Sequence, residues 1–424
     1  MKNNRRKFVK DLTSAALGIT IIPRNVMGKG FIAPSDRFNI GVIGLGAQSG
    51  GLIERMSKIS DARIIAGCDV HQKRLNRFRK LIDTEYRKYK IKGVAKTYED
   101  FDKLIENSDI DGIVVSTPDH WHAIPSINAM KAGKHVYCEK PMSHTIQEGR
   151  AMEKIAREYN CILQTGSMQR SRADFRKACE LVRNGYIGKI EKVWIEVGNP
   201  SAECNLPFQE TPDYLNWDRW LGPAPLRSYH DIIVEKGWFP NWRWYREYGG
   251  GILSDWGAHM FDIVQWALDK DHTGPIKYEA PMEPTASRGL VMHYDDGVEV
   301  EHRNFGRGFA VRFFGSKGTL DISRSFLETN PKDLLNVKFK PTDTKLYVSE
   351  SHENDWVTSA KEGSKPICDV EVGHRTATIC HIANLAYEFR RPLNWDPIKE
   401  EFIDDFEANL RRGKQYRKPY ELKI

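Results

Sequence analysis

Beyond its opening segment the sequence contains no apolar run long enough to cross a bilayer, which excludes an integral membrane protein of the helical kind. It also has no long block of like charge. The net charge is +7 over 424 residues, with Lys and Arg interleaved among Asp and Glu, so no nucleic-acid partner is expected. The densest basic stretch, residues 71–92, carries Leu75, Phe78, Leu81 and Ile82 at helical spacing and reads as a solvated helix face. Cysteine is sparse as well. The seven are scattered, odd in number and without a CxxC pair, which argues against a disulfide framework or a zinc ribbon. What remains is an ordinary globular composition, 40% apolar and 29% charged, on a chain long enough to need two cores.

The first residues carry a different message. Asn4-Arg5-Arg6-Lys7-Phe8-Val9-Lys10 precedes a moderately apolar stretch over residues 12–22. Paired arginines before a short apolar region are the layout of a twin-arginine export signal, too short for a spanning helix. The expectation is a signal and linker over residues 1–33, a periplasmic location, and no membrane insertion after processing.

Residues 38–43 read as a buried strand that runs into Gly44-Leu45-Gly46-Ala47-Gln48-Ser49-Gly50-Gly51 and then an amphipathic helix through Leu52, Ile53 and Met56. A strand, a glycine turn and a helix present backbone N–H groups and a helix N-terminus to a pyrophosphate. Gly44 makes the turn and Gly46 permits close approach, while Ser49 stands where a third glycine is usual. A second strand, residues 62–68, ends at Asp69, placed to receive ribose hydroxyls and to repel a 2′-phosphate, although His71, Lys73 and Arg74 follow. NAD is therefore expected over NADP. A helix is expected over residues 98–105, and strands over 112–116 and 135–138. Each of these strands ends in a polar cluster: Thr117-Pro118-Asp119-His120-Trp121-His122, then Glu139-Lys140-Pro141, with Pro141 expected to open the next helix. In an open parallel sheet such clusters converge on one crevice.

The glycine turn, Thr117-Pro118, Glu139-Lys140-Pro141 and Asp255-x-x-x-His259, taken in this order, resemble the Gfo/Idh/MocA oxidoreductase family from about Arg37 to the C-terminus. Gly166-Ser167-Met168-Gln169-Arg170, Trp220-Leu221-Gly222-Pro223 and Gly373-His374-Arg375-Thr376 are similar to its twin-arginine-signal branch. The resemblance places Lys140, Asp255 and His259 among the catalytic groups. With it, Gly44, Gly46, Ala47, Gln48, Ser49, Asp69, Thr117, Pro118, His122, Glu139, Lys140 and Gln169 are expected around the cofactor. Arg170, Trp242, Arg243, Asp255 and His259 are expected around the substrate.

Oxidising a secondary alcohol needs a proton acceptor while the carbon-bound hydrogen leaves as hydride. Lys140 becomes one candidate if it is partly desolvated. His259 is the other, on an apolar helix where Asp255, His259 and Asp262 form a stripe at i, i+4 and i+7 expected to face the cleft. Either aspartate could fix the imidazole tautomer. No third ligand accompanies this pair, so no metal is expected. The segment from Trp238 to Arg246, rich in Trp and Arg, is either a carbohydrate platform or a packing or subunit contact.

From about Gly188 the pattern turns to alternating strands at residues 190–197, 290–294, 298–303, 309–314 and 319–322. The expected architecture is a Rossmann domain over residues 34–165 and an α+β domain with a large, mostly antiparallel open sheet over 166–424. That scheme leaves room for the last helices to pack back on the Rossmann domain, and a homodimer or homotetramer is implied by the resemblance. The expected activity is hydride transfer at a sugar, glycoside or inositol carbinol with tightly bound NAD. A redox-neutral, NAD-dependent glycosidase and a noncatalytic sugar-binding protein are the alternatives.

Overall fold

The computed structural model describes residues 37–235 and 241–423. The paired arginines, the apolar stretch after them, and Trp238, Phe239 and Pro240 lie outside the described residues.

Six strands, β1 (Phe38–Ile43), β2 (Ala62–Cys68), β3 (Lys96–Tyr98), β4 (Gly112–Val115), β5 (His135–Cys138) and β6 (Leu163–Thr165), form a parallel sheet in the order β3-β2-β1-β4-β5-β6. Strands buried on both faces need continuous apolar runs, and β1, β4 and β5 are such runs. The strand order reverses between β1 and β4, so the carboxyl ends of these two strands open a crevice. One face of the sheet packs on the helices Ala123–Lys131 and Ile146–Glu158. The other is covered by Ala47–Met56, Gln72–Lys88 and the late helix His352–Glu362, whose buried Trp356 lies edge-on to Phe38 at 5.4 Å.

Two local expectations are corrected. Tyr98 is not helical: it pairs with Cys68 as the last residue of β3, and the helix begins at Phe101 after Asp100 caps it by accepting from Asp102 N–H. Pro141 opens no helix either. The next one starts at Ile146 behind the Thr145 cap, and the loop between is clasped by the His122 ring, 2.8 Å from the Pro141 carbonyl oxygen.

The second sheet has nine strands: β7 (Ile190–Glu196), β8 (Lys277–Glu279), β9 (Leu290–His293), β10 (Glu299–His302), β11 (Ala310–Gly315), β12 (Gly318–Ser323), β13 (Leu327–Asn330), β14 (Leu393–Asp396) and β15 (Glu401–Phe402). Its order is β13-β12-β11-β7-β10-β9-β8-β14-β15, antiparallel throughout except for the β7–β10 pair. Val193, Ile195, Val311 and Phe313 turn inward against the helices Ala173–Arg183, Gly251–Leu268 and Val370–Phe389. The opposite face carries Trp194, with Phe314 edge-on at 4.5 Å and the Arg303 guanidinium 4.3 Å from its centre.

The Gly251–Leu268 helix is buried on nearly every side, which its apolar composition requires. Gly251 enters it at φ +69, where a Cβ would lie 2.4 Å from Ser201 N; no other residue fits there. This entry brings the N-terminal turns of the helix against the loop after β5. The loop after β5 and this helix therefore meet at Lys140 and Asp255.

Candidate active site

A cavity of about 350 Å³ runs from the glycine turn, past Asp69 and the loop after β4, to Lys140, Trp242 and Arg243. Its floor is built by backbone. Gly44 takes φ +86 and sits against the loop after β4, where a Cβ would meet Thr117 N at 2.6 Å. Gly46 is different: a Cβ there would meet nothing within 4 Å and would project into open space. The helix Ala47–Met56 begins at this point with no side chain capping it and no acidic residue in its first turn. Its free N–H groups and dipole favour an anion.

Asp69 braces the turn. One carboxylate oxygen accepts from Leu45 N at 2.7 Å and the other from His71 N at 3.0 Å. Both oxygens keep a lone pair for a ribose hydroxyl. Of the three basic residues after Asp69, His71 bonds Glu235 at 2.8 Å and Lys73 covers the Tyr214 ring at 3.5 Å; Arg74 lines the cavity and donates to the Val234 carbonyl. Arg77, within the basic stretch expected to be a solvated helix face, instead donates to the Leu45 and Gly46 carbonyls and supports the turn.

Thr117, Pro118, His122, Gln48 and Glu139 also border the cavity. The His122 ring ties the two loops together, lying 3.0 Å from the Thr117 carbonyl oxygen as well as against Pro141, and burial pushes its pKa down to about 4. Glu139 is buried, accepts from Gln48 Nε2 at 2.9 Å, and is raised above the usual carboxylate range by that burial. Two expected cofactor residues stand elsewhere. Ser49 Oγ turns back to the Gly46 carbonyl at 2.8 Å, closing the turn locally. Gln169 is fully buried and does not border the cavity, and neither of its amide atoms has a partner among the described residues.

At the inner end Lys140 Nζ donates to Asp255 Oδ1 at 2.7 Å and to the Asp255 carbonyl at 2.9 Å. Arg243 Nε donates to the same Oδ1 at 3.1 Å while its guanidinium covers Trp242 at 4.2 Å. Burial would raise the Asp255 pKa, but the two cations outweigh it and hold the carboxyl well below its usual range. His259, one turn further along the helix, is buried and held neutral: burial, Lys140 and Arg324 all depress its pKa. Its Nε2 accepts from Arg324 Nη2 at 3.0 Å, and its Nδ1 has no partner among the described residues.

The polar stripe on this helix is therefore split. Asp255 and His259 are buried just behind the cavity wall, next to Lys140 and Arg324 respectively, but Asp262 is fully buried on a fork of Arg170, with Nε at 2.9 Å and 3.0 Å from its two oxygens. Arg170 also bridges to Asp271 at 2.7 Å and 2.9 Å. Its donors are thus committed inside the protein, and the expected role in binding substrate is corrected to a structural one. Neither aspartate hydrogen-bonds His259 in the described structure; Asp255 is taken by the two cations and Asp262 by Arg170.

Sequence reading also missed the C-terminal segment. Pro419, Tyr420, Glu421 and Lys423 line the same cavity beside Asp100 and Phe101. Tyr420 lies edge-on to Trp121 at 5.4 Å, and Trp121 lies edge-on to Phe101 at 5.5 Å. The Lys131 ammonium and the Arg417 guanidinium pin the segment, through the Lys423 and Gly222 carbonyls. Nothing periodic marks these residues in the sequence.

A model described as "Oxidoreductase family, NAD-binding Rossmann fold" matches residues 38–167, and its companion, "Oxidoreductase family, C-terminal alpha/beta domain", matches residues 189–422. The chain belongs to the Gfo/Idh/MocA oxidoreductase family. This Gfo/Idh/MocA chain is 34% identical over 232 residues to myo-inositol 2-dehydrogenase of Thermotoga maritima, a match covering 55% of each chain. A glycosyl hydrolase family 109 protein of Shewanella baltica is 31% identical over 163 residues, 34% of this chain and 35% of that one. The chain thus spans about half the length, or less, of these relatives. The aldose-aldose oxidoreductase of Caulobacter crescentus shares the fold, with a TM-score of 0.59 at 20% identity over 84% of this chain and 99% of that one.

The cavity itself fits a dinucleotide on grounds of its own. Thr117 Oγ1 is buried at its wall without a partner among the described residues, and Gly46 leaves open the space that a side chain would fill. The helix N-terminus at Ala47 supplies the matching positive end.

Proposed function

We propose that this protein oxidises a secondary carbinol of a sugar, glycoside or inositol with bound NAD. The observation that carries the reading is the Lys140–Asp255 pair, which joins the loop after β5 to the second domain at the inner end of the dinucleotide cavity. When bound, the nicotinamide accepts the carbinol hydrogen as hydride. The chain's own groups manage the proton and the pose. Lys140 Nζ, oriented by Asp255, donates to the carbinol oxygen, and neutral His259 takes the hydroxyl proton at Nε2. Trp242 and Arg243 border the sugar, with apolar ring face and guanidinium donors respectively.

NAD is favoured over NADP because Asp69 stands at the end of β2 while His71 and Lys73 are engaged elsewhere. The segment 419–423 closes one wall of the cavity and supports tight retention of the nucleotide. Retention suits an enzyme that leaves the cytoplasm by the twin-arginine route with its cofactor in place, recycling it against a second sugar or an external acceptor. The open face of the second sheet, with Trp194, Phe314 and Arg303, is the surface for a homodimer or homotetramer.

The family 109 relative favours one other reading, a redox-neutral cycle in which a glycoside is transiently oxidised and its aglycone eliminated. A panel of methyl and nitrophenyl glycosides and free inositols, followed by nicotinamide absorbance and product analysis, tests both. Net reduction of the cofactor with a keto-sugar product is expected. A free reducing sugar with the cofactor unchanged replaces the dehydrogenase by the glycosidase, and no turnover of any member by protein with NAD bound favours a noncatalytic sugar-binding protein.

A further inference from the structure

Arg324 follows the end of β12 and belongs to none of the motifs that mark the site. It is held by a three-layer stack: Phe309 lies flat on Trp256 with ring centres 3.9 Å apart, and the Arg324 guanidinium lies 4.6 Å from the Trp256 centre. Since Phe309 covers one face of Trp256, the guanidinium takes the other. Arg172 Nη2 fixes the backbone beneath by donating to the Arg324 carbonyl at 3.0 Å. A solvent-accessible arginine is thus held on both its backbone and its side chain beside His259.

Its charge is unanswered. Among the described residues Arg243 pairs with Asp255, Arg172 with Asp174, and Arg170 with Asp262 and Asp271, whereas no carboxylate lies within ion-pair distance of Arg324. Lys140 and Arg243 already share the single charge of Asp255, and Asp255 and Glu139 reach Arg324 only through space, without an ion-pair contact. Among the described residues the one polar partner of the Arg324 side chain is His259 Nε2, a neutral acceptor and the nitrogen that the proton transfer needs. A neutral sugar offers such a guanidinium only dipoles. An anionic oxygen pair matches its fork and is bound about twice as strongly as a neutral acceptor.

We propose that the substrate is a sugar bearing an anionic substituent, that Arg324 clamps this group, and that clamping draws the guanidinium off His259 and frees Nε2. The clamp stands on the geometry alone, whereas the unmasking of His259 rests on the hydride-transfer reading.

The test uses the full chain loaded with NAD and paired methyl glycosides of gluco, galacto and manno configuration. Each pair comprises a uronate and its neutral counterpart, and the corresponding 6-sulfates form a further arm. Calorimetric binding is measured first, without turnover. At least one anionic member is expected to bind about ten- to a hundredfold more tightly than its neutral twin, the range for a charge-assisted hydrogen bond gained. R324Q is expected to remove most of that preference, and R324K to restore part of it. The arm that shows the preference identifies carboxylate or sulfate as the source of the charge. Where turnover is seen, R324Q also moves the acid limb of kcat/KM to higher pH, because removing a neighbouring cation makes His259 easier to protonate. If no anionic member outbinds its neutral twin, or if R324Q keeps the full preference, the proposal is overturned. A preference in binding with neither nicotinamide reduction nor any sugar product would instead overturn hydride transfer and leave the clamp standing.

Discussion

The two glycines of the turn make opposite demands, and replacing each by alanine separates the fold from its ligand. At Gly44 the added Cβ meets Thr117 N at 2.6 Å and Ser116 C at 2.7 Å, backbone atoms that cannot swing aside, and the φ of +86 is costly for any side chain. A left-handed conformation costs about 1–2 kcal/mol and overpacking of a tight contact about 1–3 kcal/mol, so Gly44→Ala should lose about 2–5 kcal/mol. At roughly 2 °C per kcal/mol for a protein of this size, the apo Tm falls by about 4–10 °C. At Gly46 the φ of −69 suits alanine and the Cβ meets no protein atom. Gly46→Ala should therefore leave the apo Tm unchanged or raise it, since such a change stabilises by about 0.4–1 kcal/mol. Its methyl occupies the space through which a pyrophosphate approaches the helix N-terminus, so the Kd for NAD rises about tenfold or more, about 1.4 kcal/mol for each factor of ten. Differential scanning fluorimetry without nucleotide, followed by NAD titration, reads both. Wild-type NAD affinity in Gly46→Ala, or an unchanged apo Tm in Gly44→Ala, would refute the reasoning.

Arg170→Met strands Asp262 as a buried unpaired charge and should cost about 3–5 kcal/mol of stability in urea unfolding, with part recovered in the Arg170→Met/Asp262→Asn double variant. A loss confined to sugar binding, at wild-type stability, would return Arg170 to the substrate site. Removing residues 414–424 takes away one wall of the cavity, so the NAD dissociation rate, followed by tryptophan fluorescence, should rise at least about tenfold; an unchanged rate would refute a retaining role. Because burial, Lys140 and Arg324 depress the His259 pKa, the imidazole stays neutral as pH falls through the ordinary histidine value near about 6.5. The kcat/KM profile should accordingly stay level through that pH and fall only below it, and an acid limb centred at or above it would contradict the assignment of His259 as proton acceptor.

Much of the nucleotide-binding half was legible because strands buried on both faces must be unbroken apolar runs, and the glycine turn, Asp69, Thr117 and Lys140 all follow directly from strand ends. Local rules failed where a partner lay far along the chain. Periodicity placed Asp262 on the stripe with His259, but its environment is set by Arg170, 92 residues away. Ser49 read as a defective fingerprint position, while in the fold it bonds its own turn at Gly46. Strands β8, β13, β14 and β15, with two to four residues each, are too short to show a period. Arg324 and the segment 419–423 carry no motif; only the packing of β12 sets Arg324 against His259, and only that of the chain end lays the segment along the cavity.

The central claim is that hydride passes between a sugar carbinol and NAD at the Lys140–Asp255 end of the cavity. It is tested most directly by a single turnover with sugar deuterated at the reacting carbon, followed by mass analysis of the nucleotide. The account predicts deuterium on the nicotinamide, with transfer slowed about a hundredfold or more in both Lys140→Met and His259→Gln. Nucleotide free of deuterium while the sugar is turned over, or full transfer in both variants, would contradict it.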